Sequence, residues 1–153
     1  MFSKEEASKL KQEFWRGFGQ YLSLHPSAEG EKINWINYKT GIRYIAFRMD
    51  ADRNSACIWI ELNHPDGMMQ QLMYEQLLQL RPFLERATDE PWQWLDAQTD
   101  EWGKTISMVR ICKPDVSIFK REDWSEITSF LKPRMLALDA FWSEAQYAFE
   151  EFR

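Results

Sequence analysis

The spacing of apolar residues changes from a helical period to an extended one and back again along this chain of 153 residues. Near the N-terminus, apolar side chains recur at intervals of three or four residues: Ala7, Leu10, Phe14 and Phe18. This spacing predicts an amphipathic helix over residues 3–24. Helical stripes at both ends of a chain, with extended runs between them, are typical of helices packed on a sheet.

Three strands are predicted in the first half, at Ile33–Tyr38, Ile42–Met49 and Ser55–Leu62. The three residues between the first two strands suit a hairpin loop, with Gly41 in the left-handed conformation that such a loop requires. Residues 50–54 are turn formers and connect the second strand to the third. The sequence therefore predicts an antiparallel meander of three strands.

The alternation of side chains suggests how the second and third strands pair. If Met49 lies opposite Ser55, one face contains only apolar residues apart from a tyrosine hydroxyl: Ile42, Tyr44, Ala46, Ile58, Ile60 and Leu62. We expect this face to pack against the core. The opposite face would then pair Arg43 with Glu61.

The second half of the chain predicts a helix, further strands and a long final helix. These elements are expected at 67–87, 91–94, 104–112, 116–119 and 123–152, and a proline must kink or split the last helix. The predicted fold is a single α+β domain over residues 1–153. Its helices are expected to pack on an antiparallel sheet.

Composition and motifs exclude several classes of protein. No apolar run approaches the roughly 18 residues of a membrane-spanning helix, and Met1–Glu6 does not resemble a signal peptide, so we expect a cytoplasmic protein without a membrane contact. Cys57 and Cys112 lie in apolar runs and are predicted to be free, buried thiols. The two histidines lie far apart and near no cysteine, so we expect no metal site, and the isolated glycines give no reason to expect a nucleotide cofactor.

Several short segments together resemble a bacterial family of unknown function. They are Trp35–Ile42, Phe47–Asp52, Tyr74–Gln76, Ser117–Phe119 and Asp123–Trp124. Members of that family occur alone, or as the C-terminal part of longer proteins whose first half resembles restriction-type nucleases. The resemblance implies a setting near nucleic-acid processing or phage defence. It implies no established activity, substrate or catalytic residue.

Cations and aromatic rings alternate in the predicted hairpin region, where residues 32–53 contain five Lys or Arg against two Asp. Such a combination suits a single strand or a flipped base. The candidate binding residues are Trp35, Asn37, Lys39, Thr40, Arg43, Arg48, Glu61 and His64. Each also has a structural interpretation: Trp35 could fill the core, and Asn37 could satisfy loop backbone.

The leading hypothesis is a non-enzymatic binding or accessory domain that acts on a protein or nucleic-acid partner. One alternative is a divergent restriction-endonuclease-like nuclease that uses Glu61. In that case Asn63 stands where the motif needs lysine, and the cation at Arg43 would compete with a metal. A second alternative is a homodimer whose interface uses some of the eight tryptophans.

Overall fold

The computed structural model describes residues 3–153 and has an α+β fold, as predicted. Its elements in chain order are α1 (Lys4–Leu22), β1 (Ile45–Ala51), β2 (Ser55–Leu62), α2 (Gly67–Gln79), α3 (Arg81–Thr88), β3 (Gln93–Thr99), β4 (Thr105–Pro114) and α4 (Trp124–Ala145). Short 3-10 helices cover Arg121–Asp123 and Gln146–Phe152. No helix within the described residues is long and apolar enough to cross a membrane.

The four strands form one antiparallel sheet in the order β1-β2-β4-β3. The helices pack against one side of it, which we call the inner face. Its buried side chains include Ile45, Phe47, Ile58, Ile60, Leu62 and Val109. We call the other side the outward face, and none of the side chains that β1 and β2 place there belongs to the buried core. The sheet is therefore apolar on one side and open on the other, as antiparallel sheets commonly are.

The predicted helices at both ends are confirmed. Ser3 caps α1 by accepting a hydrogen bond from the amide of Glu6, and α1 buries Phe14, Phe18 and Leu22. The final helix, α4, continues through Pro133 and is not split there. The helix predicted over 67–87 is instead divided into α2 and α3 at Leu80, because Pro82 favours the first turn of a new helix.

The first predicted strand does not exist. Residues 33–38 belong to the connecting loop, which we define as residues 23–44 between α1 and β1. The side-chain oxygen of Asn34 accepts hydrogen bonds from the amides of Ile36 and Asn37, which turns the chain locally instead of extending it. The strand predicted at 116–119 is likewise absent, so four strands remain.

The predicted register of β1 and β2 is wrong. Ile45 lies opposite Leu62 and Met49 lies opposite Ile58, not opposite Ser55. As a result Ile45 and Phe47 face inward in place of Tyr44 and Ala46. The observed register buries the ring of Phe47, whereas the predicted register would bury the methyl group of Ala46. The observed register therefore removes more apolar area from water.

The predicted pair between Arg43 and Glu61 is also absent, because Arg43 precedes β1. Glu61 lies opposite Ala46 on the neighbouring strand, and its carboxylate instead forms an ion pair with Arg48 at 3.1 Å.

The prediction of free thiols is wrong as well. Cys57 on β2 and Cys112 on β4 face each other directly and form a disulfide, with their Cα atoms 4.1 Å apart. Both side chains lie on the outward face. The two cysteines are 55 residues apart in sequence, and the register that aligns them depends on tertiary pairing, so local patterning contained no sign of the bond.

Candidate functional site

A row of four polar and aromatic residues crosses the outward face from one sheet edge to the other. Arg48 on β1 lies opposite Trp59 on β2, Trp59 lies opposite Arg110 on β4, and Arg110 lies opposite Gln93 on β3. We call these four residues the arginine–tryptophan row. Because side chains alternate across a strand, all four project from the same side of the sheet.

Hydrogen bonds fix the orientation of the tryptophan in this row. The indole Nε1 of Trp59 donates to Oε1 of Glu61 at 3.3 Å, and Nδ2 of Asn63 donates to Oε2 at 2.8 Å. With Arg48 at 3.1 Å, the carboxylate of Glu61 has three partners. Glu61 therefore positions Trp59 and Arg48.

The two arginines differ in how their charge is compensated. Arg48 pairs with Glu61, although its own side chain is 51% exposed. Arg110 donates to the neutral side chain of Gln93 at 3.2 Å and has no ion-pair partner within residues 3–153. The guanidinium of Arg110 is thus hydrogen-bonded to a neutral partner and not to a carboxylate.

A shallow depression of about 190 Å³ lies beside the row. Its lining includes Trp59, Met108 and Arg110, together with the carboxylates of Asp50 and Asp52. An aromatic face next to a guanidinium can hold a planar ring by stacking and an anionic group by paired hydrogen bonds. This part of the outward face is therefore chemically suited to a ligand that contains both.

A second concave region lies between the connecting loop and α4. This cleft has a volume of about 380 Å³, and Asn37 and Lys39 are exposed where they line it. Thr40 also lines it but is buried, with its hydroxyl at hydrogen-bond distance from the carbonyls of Ile42 and Ile45. Thr40, predicted as a binding residue in a hairpin loop, is therefore buried, and its contacts hold the connecting loop together.

A buried carboxylate is among the groups that line this cleft. Asp139 on α4 is 5% exposed and accepts hydrogen bonds from the hydroxyl of Tyr38 at 2.5 Å and the amide of Ala28 at 2.6 Å. Both carboxylate oxygens thus bind the connecting loop to α4. Burial and the bond to Asp139 raise the pKa of the Tyr38 hydroxyl above its ordinary value.

The raised pKa predicts how Tyr38 links stability to pH. The folded protein keeps the phenol neutral where the unfolded chain ionises it, so its contribution is complete below about pH 10 and is lost as the pH rises further. Tyr38→Phe is expected to lose less stability than wild type between about pH 9 and pH 11. Urea melts at both values check this, and equal losses in the two proteins would contradict it.

Gly41 has the positive φ that the sequence predicts, at +80°, although it lies in the connecting loop and not in a hairpin. A side chain with a β-carbon is strained in this conformation, so Gly41→Val is expected to lower the free energy of unfolding by about 1 kcal/mol. Gly17→Ala within α1, where the added methyl meets open space, is the control and should stabilise slightly. Urea midpoints check both variants, and an unchanged midpoint for Gly41→Val would contradict the interpretation.

Arg43 and His64 lie together in a third region, beside Tyr44 at the start of β1. The guanidinium of Arg43 lies 4.9 Å from the ring centre of Tyr44, which in turn lies 4.4 Å from the ring of His64. Nδ1 of His64 accepts the amide hydrogen of Asp66 at 2.9 Å. These contacts stabilise the loop ends, and Tyr44 holds a positive φ of 71° there.

The eight predicted site residues therefore do not form one site. Three line or border the cleft, two lie around Tyr44, two lie on the outward face, and Trp35 is buried with its Nε1 donating to the carbonyl of His25. Neither Trp59 nor Arg110 is among the eight predicted site residues, although the structure places both in the arginine–tryptophan row. In β2, Cys57, Trp59 and Glu61 alternate with apolar residues that are buried. This alternation in the sequence predicts that the three residues share a face of the sheet that is not fully covered. Within residues 3–153, no three His, Cys, Asp or Glu side chains are grouped to hold a metal ion.

Comparison with known proteins places the chain in a family. Searches of curated proteins and of solved structures gave no significant match. The pattern of one family, described as a domain of unknown function (DUF4268), matches residues 10–146, which include the whole sheet and all of α4. Because this match covers most of the sequence, the chain belongs to the DUF4268 family.

Proposed function

We propose that this domain is a non-catalytic module that binds single-stranded nucleic acid on its outward face. The observation that carries the proposal is the arginine–tryptophan row, in which Trp59 lies between Arg48 and Arg110 on an open antiparallel sheet. Single strands bind to proteins by stacking their bases on aromatic rings while cations contact the backbone. Four-stranded sheets with aromatic residues on one face are an established way to present such rings.

Each residue of the row has a role in the proposed complex. A base stacks on Trp59, whose ring is held in place by Glu61. Arg110 binds a backbone phosphate, because its guanidinium forms no ion pair within residues 3–153 that the phosphate would have to displace. Arg48 can exchange its contact with Glu61 for a second phosphate, since an ion pair with an exposed partner contributes little stability.

The overall charge limits the strength of this binding. The chain carries a formal net charge of −5, and six acidic residues lie in residues 85–101. Long-range repulsion therefore opposes the local attraction of the two arginines. We expect dissociation constants of about 10⁻⁶ to 10⁻⁴ M at physiological salt.

The setting that fits this activity is nuclease-associated. This setting is what the resemblance of the sequence implies, and in it a strand-binding module would hold the substrate for a nuclease partner. A catalytic role for Glu61 is less suitable, because its carboxylate already pairs with the cation of Arg48, which a metal ion at the same oxygens would have to displace.

Fluorescence anisotropy with labelled single-stranded DNA and RNA of about 10 nucleotides tests the proposal. Trp59→Ala should weaken binding by about 5-fold to 150-fold, because stacking contributes about 1 to 3 kcal/mol per base. Trp102→Ala is the matched control: this tryptophan is 82% exposed but lies in the turn between β3 and β4, so its loss should leave affinity unchanged.

The salt dependence of the same titrations tests the role of the arginines. Two phosphate contacts predict a slope of about −1.4 for the logarithm of affinity against that of salt concentration, and Arg110→Gln should reduce its magnitude by about 0.7. Absence of binding at low salt, or equal losses for Trp59→Ala and Trp102→Ala, would overturn the proposal. The face would then fit a protein partner better, since Trp, Met and Arg are frequent in protein interfaces.

A further inference from the structure

An apolar groove lies on the helical layer, between α3 and the C-terminal part of α4. It has a volume of about 440 Å³. Small side chains form much of its surface: Ala87, Ala140, Ala145 and Ala148. Larger apolar residues complete it, with Leu80 and Phe83 from the α2–α3 region and Phe141 from α4.

A bulky side chain stands exposed beside these small ones. Phe83 on α3 is 54% exposed, although burying a phenylalanine ring stabilises a protein by about 1.5 to 3 kcal/mol. The same surface thus contains a protruding ring and a recess made of alanines. In a second copy of the chain, the same surface offers a recess for this ring and a ring for this recess.

The charges at the groove are also self-complementary. Arg86 on α3 and Glu144 on α4 both line it, and neither has an ion-pair partner within residues 3–153. The guanidinium of Arg86 lies 5.7 Å from the ring centre of Phe83, so cation and ring belong to one patch. In a symmetric dimer every contact across the two-fold axis occurs twice, so a patch with one unpaired cation and one unpaired anion can form two reciprocal ion pairs with a second copy.

We propose that the chain forms a symmetric homodimer through this groove. Phe83 of each copy enters the alanine-lined recess of the other, and Arg86 of each pairs with Glu144 of the other. The groove is formed by helices that pack on the inner face, so the dimer leaves both outward faces free. This inference does not depend on what those faces bind.

Sedimentation velocity over a range of protein concentrations tests the dimer. Wild type should sediment as a dimer at high concentration and dissociate on dilution, and Phe83→Ser should remain monomeric under the same conditions. Leu24→Ser is the matched control, because Leu24 is 77% exposed in the connecting loop, outside the groove, and its loss should leave the dimer intact. Circular dichroism and urea melts show whether each variant is folded.

A charge-exchange experiment separates direct pairing from a general effect on folding. Arg86→Glu and Glu144→Arg should each weaken self-association about tenfold or more, since each places like charges together across the axis. An equimolar mixture of the two variants should form a heterodimer, in which both pairs are restored. A wild type that stays monomeric at all concentrations, or a mixture that associates no better than its components, would overturn the proposal.

Discussion

Trp142→Ala is expected to lower the free energy of unfolding by about 3 to 5 kcal/mol. The side chain is 2% exposed and packs edge-on against Phe47, with ring centres 5.6 Å apart. Its Nε1 also donates to the carbonyl of Thr40 at 2.7 Å. Truncation therefore leaves a cavity between α4 and the inner face, together with a buried carbonyl that has lost its donor.

Urea melts measure this loss, and two further variants divide it into its parts. Trp142→Phe keeps most of the apolar area but loses the hydrogen bond, so it should cost clearly less than the alanine variant. Trp102→Ala removes an 82% exposed ring and should change stability by less than about 0.5 kcal/mol. Comparable losses for Trp142→Ala and Trp102→Ala would contradict the position assigned to Trp142.

Asp139→Ala is expected to cost about 3 to 6 kcal/mol, since it removes two hydrogen bonds to a carboxylate that each contribute about 1.5 to 3 kcal/mol. The substitution leaves the Tyr38 hydroxyl and the Ala28 amide without the acceptor that they use in the folded state. Because these bonds join positions 101 and 111 residues apart, the connecting loop should also detach more readily from α4.

Tyr38→Phe is the comparison variant for Asp139→Ala, because it removes one of the two hydrogen bonds and leaves the other. Its loss in urea melts at neutral pH should be about half as large. Hydrogen exchange of the Ala28 amide should accelerate in Asp139→Ala but not in Tyr38→Phe. A loss in Asp139→Ala no larger than that in Tyr38→Phe would contradict the shared role of the carboxylate.

The elements that the sequence predicts correctly are those with a long, consistent local pattern. The stripe of α1 and the alternation within β2 each persist over several turns or residue pairs, so the core-facing side chains Phe14, Ile58 and Ile60 could be identified. The errors begin where local preferences compete. Asn34 turns a segment that has strand-like composition, and the positive φ of Tyr44 delays the start of β1.

The candidate site is harder to predict from the sequence than the fold, because its geometry depends on pairing between distant segments. Trp59 and Arg110 become neighbours only through the register of β2 with β4, and the disulfide between Cys57 and Cys112 depends on that same register. A one-residue error in register moves a side chain to the other face of a sheet. Here the β1 register was misassigned, so Arg48 could not be recognised as the partner of Glu61.

The most direct test of the proposed function is a two-dimensional NMR titration that follows the tryptophan indole N–H signals while a single-stranded oligonucleotide of about 10 nucleotides is added. Trp59→Phe identifies the Trp59 signal by its disappearance. The arginine–tryptophan row predicts that this signal shifts progressively with added strand, while the signal of buried Trp142 stays in place. No shift at Trp59 under conditions where the strand binds, or a shift confined to Trp102, would contradict binding on the outward face.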